Sequence, residues 1–527
     1  MTNSSIAAAV ALTLAASSAG AAPPQWKLTL QHLASIGTAA TGDVGAEIVA
    51  YDATTRRAFA INSSDNDLAV IDLSNPSAPI LQDRISLDAY GAGLNSVATF
   101  KGLVAVAVEA QPKTDPGRVV FVDAATLAVH GDVEVGALPD MLTFDGDGKR
   151  VLVANEGEPV NYLAGSVNPE GSISIIDLEQ GVAAATVRTA DFHAFDRAAL
   201  NEQGVRVFGP GTTAAQDLEP EYIAVKGRTA WVTLQEANAV AVVDVPTATV
   251  QTIVPLGLKD FSLPGNALDA SDQDGIRIVN RPVFGMYQPD AIAQFNVGRE
   301  RYLVTANEGD SRSSEDFPGF NEQVRLSNST YILDPTIFPD AATLKQNSVL
   351  GRLNVSNASG DLDGDGDFDR IQTYGARSFS IWSSDGQLVW DSGDQMERFF
   401  ADPANGYAAI FNASHGNNTL DNRSDDKGPE PEGLAVGKVG GRTYAFIGLE
   451  RIGGVMAYDV SNPRAPTFAA YANTRNLTDL SQVKGDRGAE GVTFVSAEDS
   501  PNGKPLVLVG NEVSRTISIF QVDTAKP

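Results

Sequence analysis

Seven short apolar runs recur along this chain and end alike: 68–73 (LAVIDL), 119–124 (VVFVDA), 173–178 (ISIIDL), 240–245 (VAVVDV), 379–384 (FSIWSS), 455–460 (VMAYDV) and 517–522 (ISIFQV). Each is short, β-branched and bounded by turn residues, which predicts sheet strands and not helices. Two further strands precede each run and a fourth follows it. Four antiparallel strands repeated seven times predict an all-β chain, a seven-bladed β-propeller over residues 23–527. The ring is expected to be closed by an N-terminal strand near 26–36, acting as the outer strand of the last blade.

The repeat also concentrates charge. First strands open at Glu47, Asn95, Asp140, Glu221, Asp290, Glu432 and Glu490, and second strands close at Ser63, Glu109, Glu156, Glu236, Glu308, Glu450 and Glu512. In an antiparallel pair these two ends share one rim, which in a propeller surrounds the central channel. Twelve of the fourteen positions are carboxylates, whereas Asp and Glu are 66 of 527 residues, so chance places about two there. Like charges at this range repel unless paired, protonated or metal-bound. The carboxylates among Glu47, Asp140, Glu156, Glu221, Glu236, Asp290, Glu308, Glu432, Glu450, Glu490 and Glu512 are therefore candidate metal ligands. Oxygen-only donors favour hard cations, Ca2+ first, with Mg2+, Mn2+ or Fe3+ behind it.

Composition narrows the partners. The formal charge is −28, which disfavours nucleic acid and anionic membranes, because both are recognised through clustered Lys and Arg. There is no cysteine and the four histidines are scattered, which excludes thiolate chemistry and disfavours histidine-rich metal sites. Residues 1–22 contain an uncharged apolar stretch ending in small residues and are read as a signal peptide. No other stretch reaches the length of a membrane span. An exported monomer, extracellular or periplasmic, is expected, with no anchoring tail of its own.

Long segments interrupt the repeat at 187–218, with a helix near 192–202, and at 256–288, 311–373 and 394–429. All open on the acidic rim, as a lid would. Within the 311–373 segment, DLDGDGDFD places Asp361, Asp363 and Asp365 at alternating positions, then Asp369, like the start of a calcium loop. Gln372 stands where an EF-hand has its bidentate glutamate. The 266–275 string NALDASDQDG is a weaker version. For each of the rim arginines Arg312, Arg423, Arg451 and Arg515 structural ion pairing with a carboxylate ranks first, and anion binding is the alternative, with Arg312 and Arg451 the pair that would steady an anion. His415, in the insertion string NASHGNN, is read first as an exposed loop residue and second as an acid or base.

The strings LVANEGEPVNYLAGSVNPEGSISIIDL, QDLEPEYIAV, GMYQPDAIA, VTANEGDSR, YGARSFSIW, SDDKGPEPEGLA and AFIGLERIGGVMAYDVSNP resemble the choice-of-anchor I family. The resemblance spans essentially the whole mature chain. It implies a secreted or surface propeller in a family that includes mesenchyme-specific cell-surface glycoproteins and bacterial members labelled alkaline phosphatase.

Three functions follow as expectations. The first is a metal-dependent phosphoesterase acting on a small extracellular phosphate ester or other anionic ligand, with Glu308, Glu432, Arg312 and Arg451 in the catalytic roles. The second is a non-catalytic calcium-binding surface or matrix protein with a protein, glycan or mineral partner. A lactonase or redox propeller ranks third.

Overall fold

The apolar runs become the third strands of four-stranded antiparallel sheets, seven among the described residues. The computed structural model describes residues 27–314 and 316–525, so the 1–22 signal-peptide reading lies outside the described residues. Third strands such as Asp67–Asp72 and Ser172–Asp177 are buried on both faces, which is why they read as continuous apolar runs. Outer strands such as Thr249–Pro255 mix exposed and buried positions. The Asp145–Arg150 hairpin needs Gly148, whose φ is 71° and where a Cβ would lie 2.1 Å from the Phe100 ring.

Six sheets take their strands in chain order. In the seventh, Lys27–Gly37 pairs with Thr516–Ala525 at the outer edge of the Leu506–Asn511 and Ala489–Val495 strands. Asp486 fastens this pairing. Its carboxylate accepts from Ser35 Oγ at 2.5 Å, Thr474 Oγ1 and Thr516 Oγ1 at 2.6 Å and Ser518 Oγ at 2.7 Å. Burial opposes its charge, but the hydroxyl donors outweigh burial and hold the carboxyl below its usual range.

Apolar clusters lie between consecutive sheets. Phe59 and Val70 pack with Val106 and Val122, Phe121 with Val153 and Ile176, and Phe379 with Ile447 and Tyr458. A further cluster joins Ala58, Ala60 and Ile71 of the first sheet to Leu506, Leu508 and Ile519 of the last. A four-stranded sheet has two apolar faces, and each cluster buries the facing pair.

The insertions are more built than a lid of loops. Leu258–Asp260, Phe284–Met286 and Gln372–Thr373 make one small sheet across two of them, and Gln323–Arg325 pairs with Asn354–Ser356. They share a core that includes Phe261, Leu268, Tyr331, Leu333, Phe368 and Ile371. The helix expected near 192–202 is Arg197–Glu202, started by Asp196, whose side chain accepts from the Ala199 N–H. No helix among the described residues is long and apolar enough to cross a membrane.

Candidate metal centre

First strands of all seven sheets line one cavity of about 330 Å3, through Val49, Val97, Leu142, Tyr222, Ile292, Leu434 and Val492. The rim acids stand where these strands begin, and a recurrent irregularity aims them. Pro139 pairs with Asn155 but Leu142 with Val153, so the first strand carries one extra residue. The same shift occurs between Pro220 and Ile223, Pro431 and Leu434, and Ala489 and Val492. Bulges bend a strand and re-aim its side chains, and these four fall on Asp140, Glu221, Glu432 and Glu490.

Two residues before an acid the backbone is left-handed, with φ of 46° at Leu138, 39° at Gln288, 47° at Glu430 and 71° at Gly488. The carbonyls of Leu138, Glu430 and Gly488 accept from the N–H groups of Glu156, Glu450 and Glu512. Each latch thus ties the two rim acids of one sheet together. Holding a non-glycine residue in this region costs about 1–3 kcal/mol and persists only where the surroundings enforce it.

The acids act on one another across the mouth. Burial first, then the Glu158 charge, pushes Asp140 up to about 7. Burial likewise takes Glu47 to about 7, with the Ser63 hydroxyl opposing and Glu512 adding. Glu221 is raised by burial and then by Glu236 and Asp290, and Glu156 by burial and then by Glu158 and Asp140. Burial, and then Glu308 and Asp140, raises Asp290. Burial, followed by Glu450, Glu308 and Glu490, raises Glu432. Glu490 rises through burial and then Glu512 and Glu47, and Glu512 through burial and then Glu450. In Glu236 burial outweighs the opposing Arg312 charge, and in Glu109 it outweighs Lys113.

One group of cations pairs directly with the acids around Glu430. Glu430, 0% exposed, gathers Arg423 Nε at 2.8 Å, Arg451 Nε at 2.9 Å and Lys427 Nζ at 3.4 Å. Burial alone would raise it, but the three cations hold it far below the usual carboxylate range. Lys427 also donates to Glu308 at 2.5 Å and to the Gly309 carbonyl at 2.6 Å. Arg451 reaches Glu450 at 2.7 Å.

Two clusters at the mouth have ligand geometry. One oxygen each of Glu308, Glu432 and Glu450 lie within 4.8 Å of one another, as do ligand atoms of His415, Glu450 and Glu512. Glu432 Oε2 and Glu221 Oε2 are buried without a hydrogen-bond partner. A buried acceptor left unpaired is costly.

Three sequence expectations change. Arg312 does not face a ligand: it is 0% exposed, its Nη1 is 2.7 Å from Asp217 Oδ1, its Nη2 contacts Glu219, and it stacks 4.6 Å over Phe208. Arg451 does stand at the mouth, but with its Nε and Nη1 already given to Glu430 and Glu450. His415 is not a free loop residue; its Nδ1 lies 3.0 Å from Arg451 Nη1 and 3.3 Å from Glu450. Sequence reading missed Glu430, Lys427, Glu158 and Asp310, the last raised by burial with Lys427 opposing and Glu236 and Glu308 adding. A signal existed for the last two, since Asn155-Glu156-Gly157-Glu158 and Asn307-Glu308-Gly309-Asp310 repeat one string.

The acid loop lies elsewhere. Asp361, Asp363 and Asp365 are exposed, with one oxygen of each within 4.8 Å of the others. Asp369 groups instead with Asp334 and Asp367, and its Oδ2 accepts from the Leu362 N–H at 2.7 Å. Phe368 stacks on Tyr331 at 3.9 Å, which seats the loop on the insertion core.

Two relatives share part of this chain. Gigasin-3a of Magallana gigas is 32% identical over 194 residues, 34% of this chain and 67% of that protein. The mesenchyme-specific cell surface glycoprotein of Strongylocentrotus purpuratus is 30% identical over 240 residues, 40% of this chain but only 30% of that protein. Among solved structures, the Myceliophteria thermophila Cps50 (Swd1) β-propeller domain aligns over 94% of this chain and 100% of its own at 8% identity and a TM-score of 0.43. The choice-of-anchor I domain model matches residues 47–463. The chain, with its latched rim acids inside that span and two more beyond it at Glu490 and Glu512, belongs to the choice-of-anchor I family.

Proposed function

We propose that the seven sheets are the blades of one closed propeller, exported to the surface or the extracellular medium, whose channel mouth binds hard divalent cations, calcium first. The apolar cluster between first and last sheets supports the ring. The names of the family and of the cell-surface relative support the location. One observation carries the cation reading: Glu308, Glu432 and Glu450 converge within 4.8 Å, and Glu432 keeps a buried oxygen with no donor. A cation there would satisfy that oxygen and offset the repulsion that protonation must otherwise relieve.

Glu308→Gln with Glu432→Gln is expected to remove at least one equivalent of calcium, read by metal analysis after dialysis, while the sheet content stays unchanged by circular dichroism. Retention of all bound calcium by that variant would sink the reading.

Phosphoester hydrolysis is the second reading, favoured by Lys427 and Arg451 standing beside the same carboxylates. A bound cation would polarise a phosphoryl oxygen, and these two side chains would exchange carboxylates for phosphoryl oxygens. An assay on dialysed protein restored with Ca2+, Mg2+, Mn2+ or Fe3+ decides it. With no turnover under any of them, the chain is a binding protein with a surface or matrix partner.

The Asp361, Asp363 and Asp365 loop is proposed as a separate, structural calcium site. Asp363→Ala with Asp365→Ala is expected to release about one calcium equivalent and to open the 311–373 segment to proteases. Mouth occupancy should stay constant. Loss of every bound ion would merge the two sites.

A further inference from the structure

Another acid group lies away from the mouth, between two insertions. Leu268 pairs with Val279 and closes a loop that carries Asp269 and Asp274. Asp421 arrives from the 394–429 segment on a left-handed backbone, φ 70°. One oxygen of each carboxylate lies within 4.8 Å of the others. Asp269 is 1% and Asp421 3% exposed, and the Asp274 side chain 12%.

The hydrogen bonds are lopsided. Asp269 Oδ2 accepts from the Arg277 N–H, Asp274 Oδ2 meets Arg277 Nη1 at 3.3 Å, and Asp421 Oδ1 accepts from Ser424 Oγ at 2.5 Å. The remaining oxygens, Asp269 Oδ1, Asp274 Oδ1 and Asp421 Oδ2, are buried and have no partner. Three unpaired acceptors beside three like charges are unfavourable in a low-dielectric interior. Nearby Arg377 opposes the Asp269 charge only at a distance, because its nitrogens donate to Glu397 at 2.8 Å and to the Asp269, Ser424 and Asp426 carbonyls. The remaining loop acid, Asp272, is taken by Arg352 at 2.9 and 3.0 Å.

We propose that Asp269, Asp274 and Asp421 hold one buried calcium ion that staples the 256–288 insertion to the 394–429 insertion. The donors are all oxygen, which suits a hard cation, and burial leaves little room for the water shell that magnesium retains. With Asp274 already paired to Arg277, the three carboxylates balance one divalent ion. The site shares no residue with the mouth. Its role is to lock two insertions that adjoin the propeller rim, since ligands from both must be in place at once.

The test uses the full chain in the Glu308→Gln, Glu432→Gln background, so that mouth binding does not interfere. Calcium equivalents are counted by equilibrium dialysis, and unfolding midpoints are read in EDTA and in calcium. Asp421→Asn should lose about one equivalent and its share of the calcium-dependent rise in midpoint. In EDTA it should unfold at or above its parent, because one repelling charge is gone. Asp274→Asn, at the least buried ligand, should show the same loss if Asp421→Asn folds poorly. Arg281, whose buried Nε also lacks a partner, is the rival counter-charge, and Arg281→Met should leave calcium binding intact. Unchanged calcium equivalents in both Asp variants, or loss of the calcium-dependent rise in Arg281→Met alone, would overturn the proposal. Failure of the mouth variants to lose calcium would count against the mouth and leave this site standing.

Discussion

Arg312→Ala is expected to destabilise the fold by about 3–5 kcal/mol, the usual cost of removing one partner from a buried ion pair. Its guanidinium is enclosed between Asp217 and Glu219 and stacked on Phe208. Truncation would strand two carboxylates that are themselves fully buried or nearly so. It would also withdraw the charge that opposes the burial of Glu236. Arg312→Lys should recover only part of the loss, because an ammonium cannot fork to two carboxylates. The measurement is a denaturant midpoint for the three proteins. If Arg312→Ala unfolds with its parent, Arg312 is not a structural clamp, and its place among ligand-facing residues would have to be reconsidered.

Metal-free protein should lose stability as pH rises from about 4.5 through 7. Glu47 and Asp140 are pushed up to about 7 in the folded chain, from ordinary values of 4.5 and 3.8. Between those limits the folded state binds more protons than the unfolded one, so stability falls with pH. The contribution of each group is complete below its unfolded value and gone once pH passes about 7. Calcium requires the ionised carboxylates, so it should stabilise most where metal-free protein is weakest. An ion at a hundredfold excess over its dissociation constant adds about 2.7 kcal/mol per site. Midpoints at pH 5 and pH 8, each in EDTA and in calcium, test both halves. A metal-free midpoint that stays level or climbs between the two, with no greater calcium effect at pH 8, would show that these carboxyls are not held protonated at the mouth.

Much of the architecture was legible because strand periodicity is local. The continuous apolar run that makes 68–73 or 173–178 a third strand is a property of six consecutive residues. The acids Glu432 and Glu490 could be placed at strand openings for the same reason. Their aim could not, because a bulge is a mismatch between two strands and neither strand's sequence contains it. Arg312 shows the limit from the other side. Its neighbours in VTANEGDSR suggest the rim, yet its partners Asp217 and Glu219 come from the end of another insertion.

Glu430 was missed, and His415 was taken for an exposed loop residue, because the 394–429 insertion carries His415 and the Glu430 partners Arg423 and Lys427, and no repeat predicts its path. Asp421 was invisible as a ligand, being about 150 residues from Asp269. The sequence by itself determined the sheet units, their number of apolar runs and the acidic character of the strand openings. Only the tertiary structure decided which acids meet, which arginines are already paired and which oxygens are left without a donor. Those outcomes depend on distances between segments remote in the chain, and charge interactions and hydrogen bonds are set by distance and burial, not by order along the sequence.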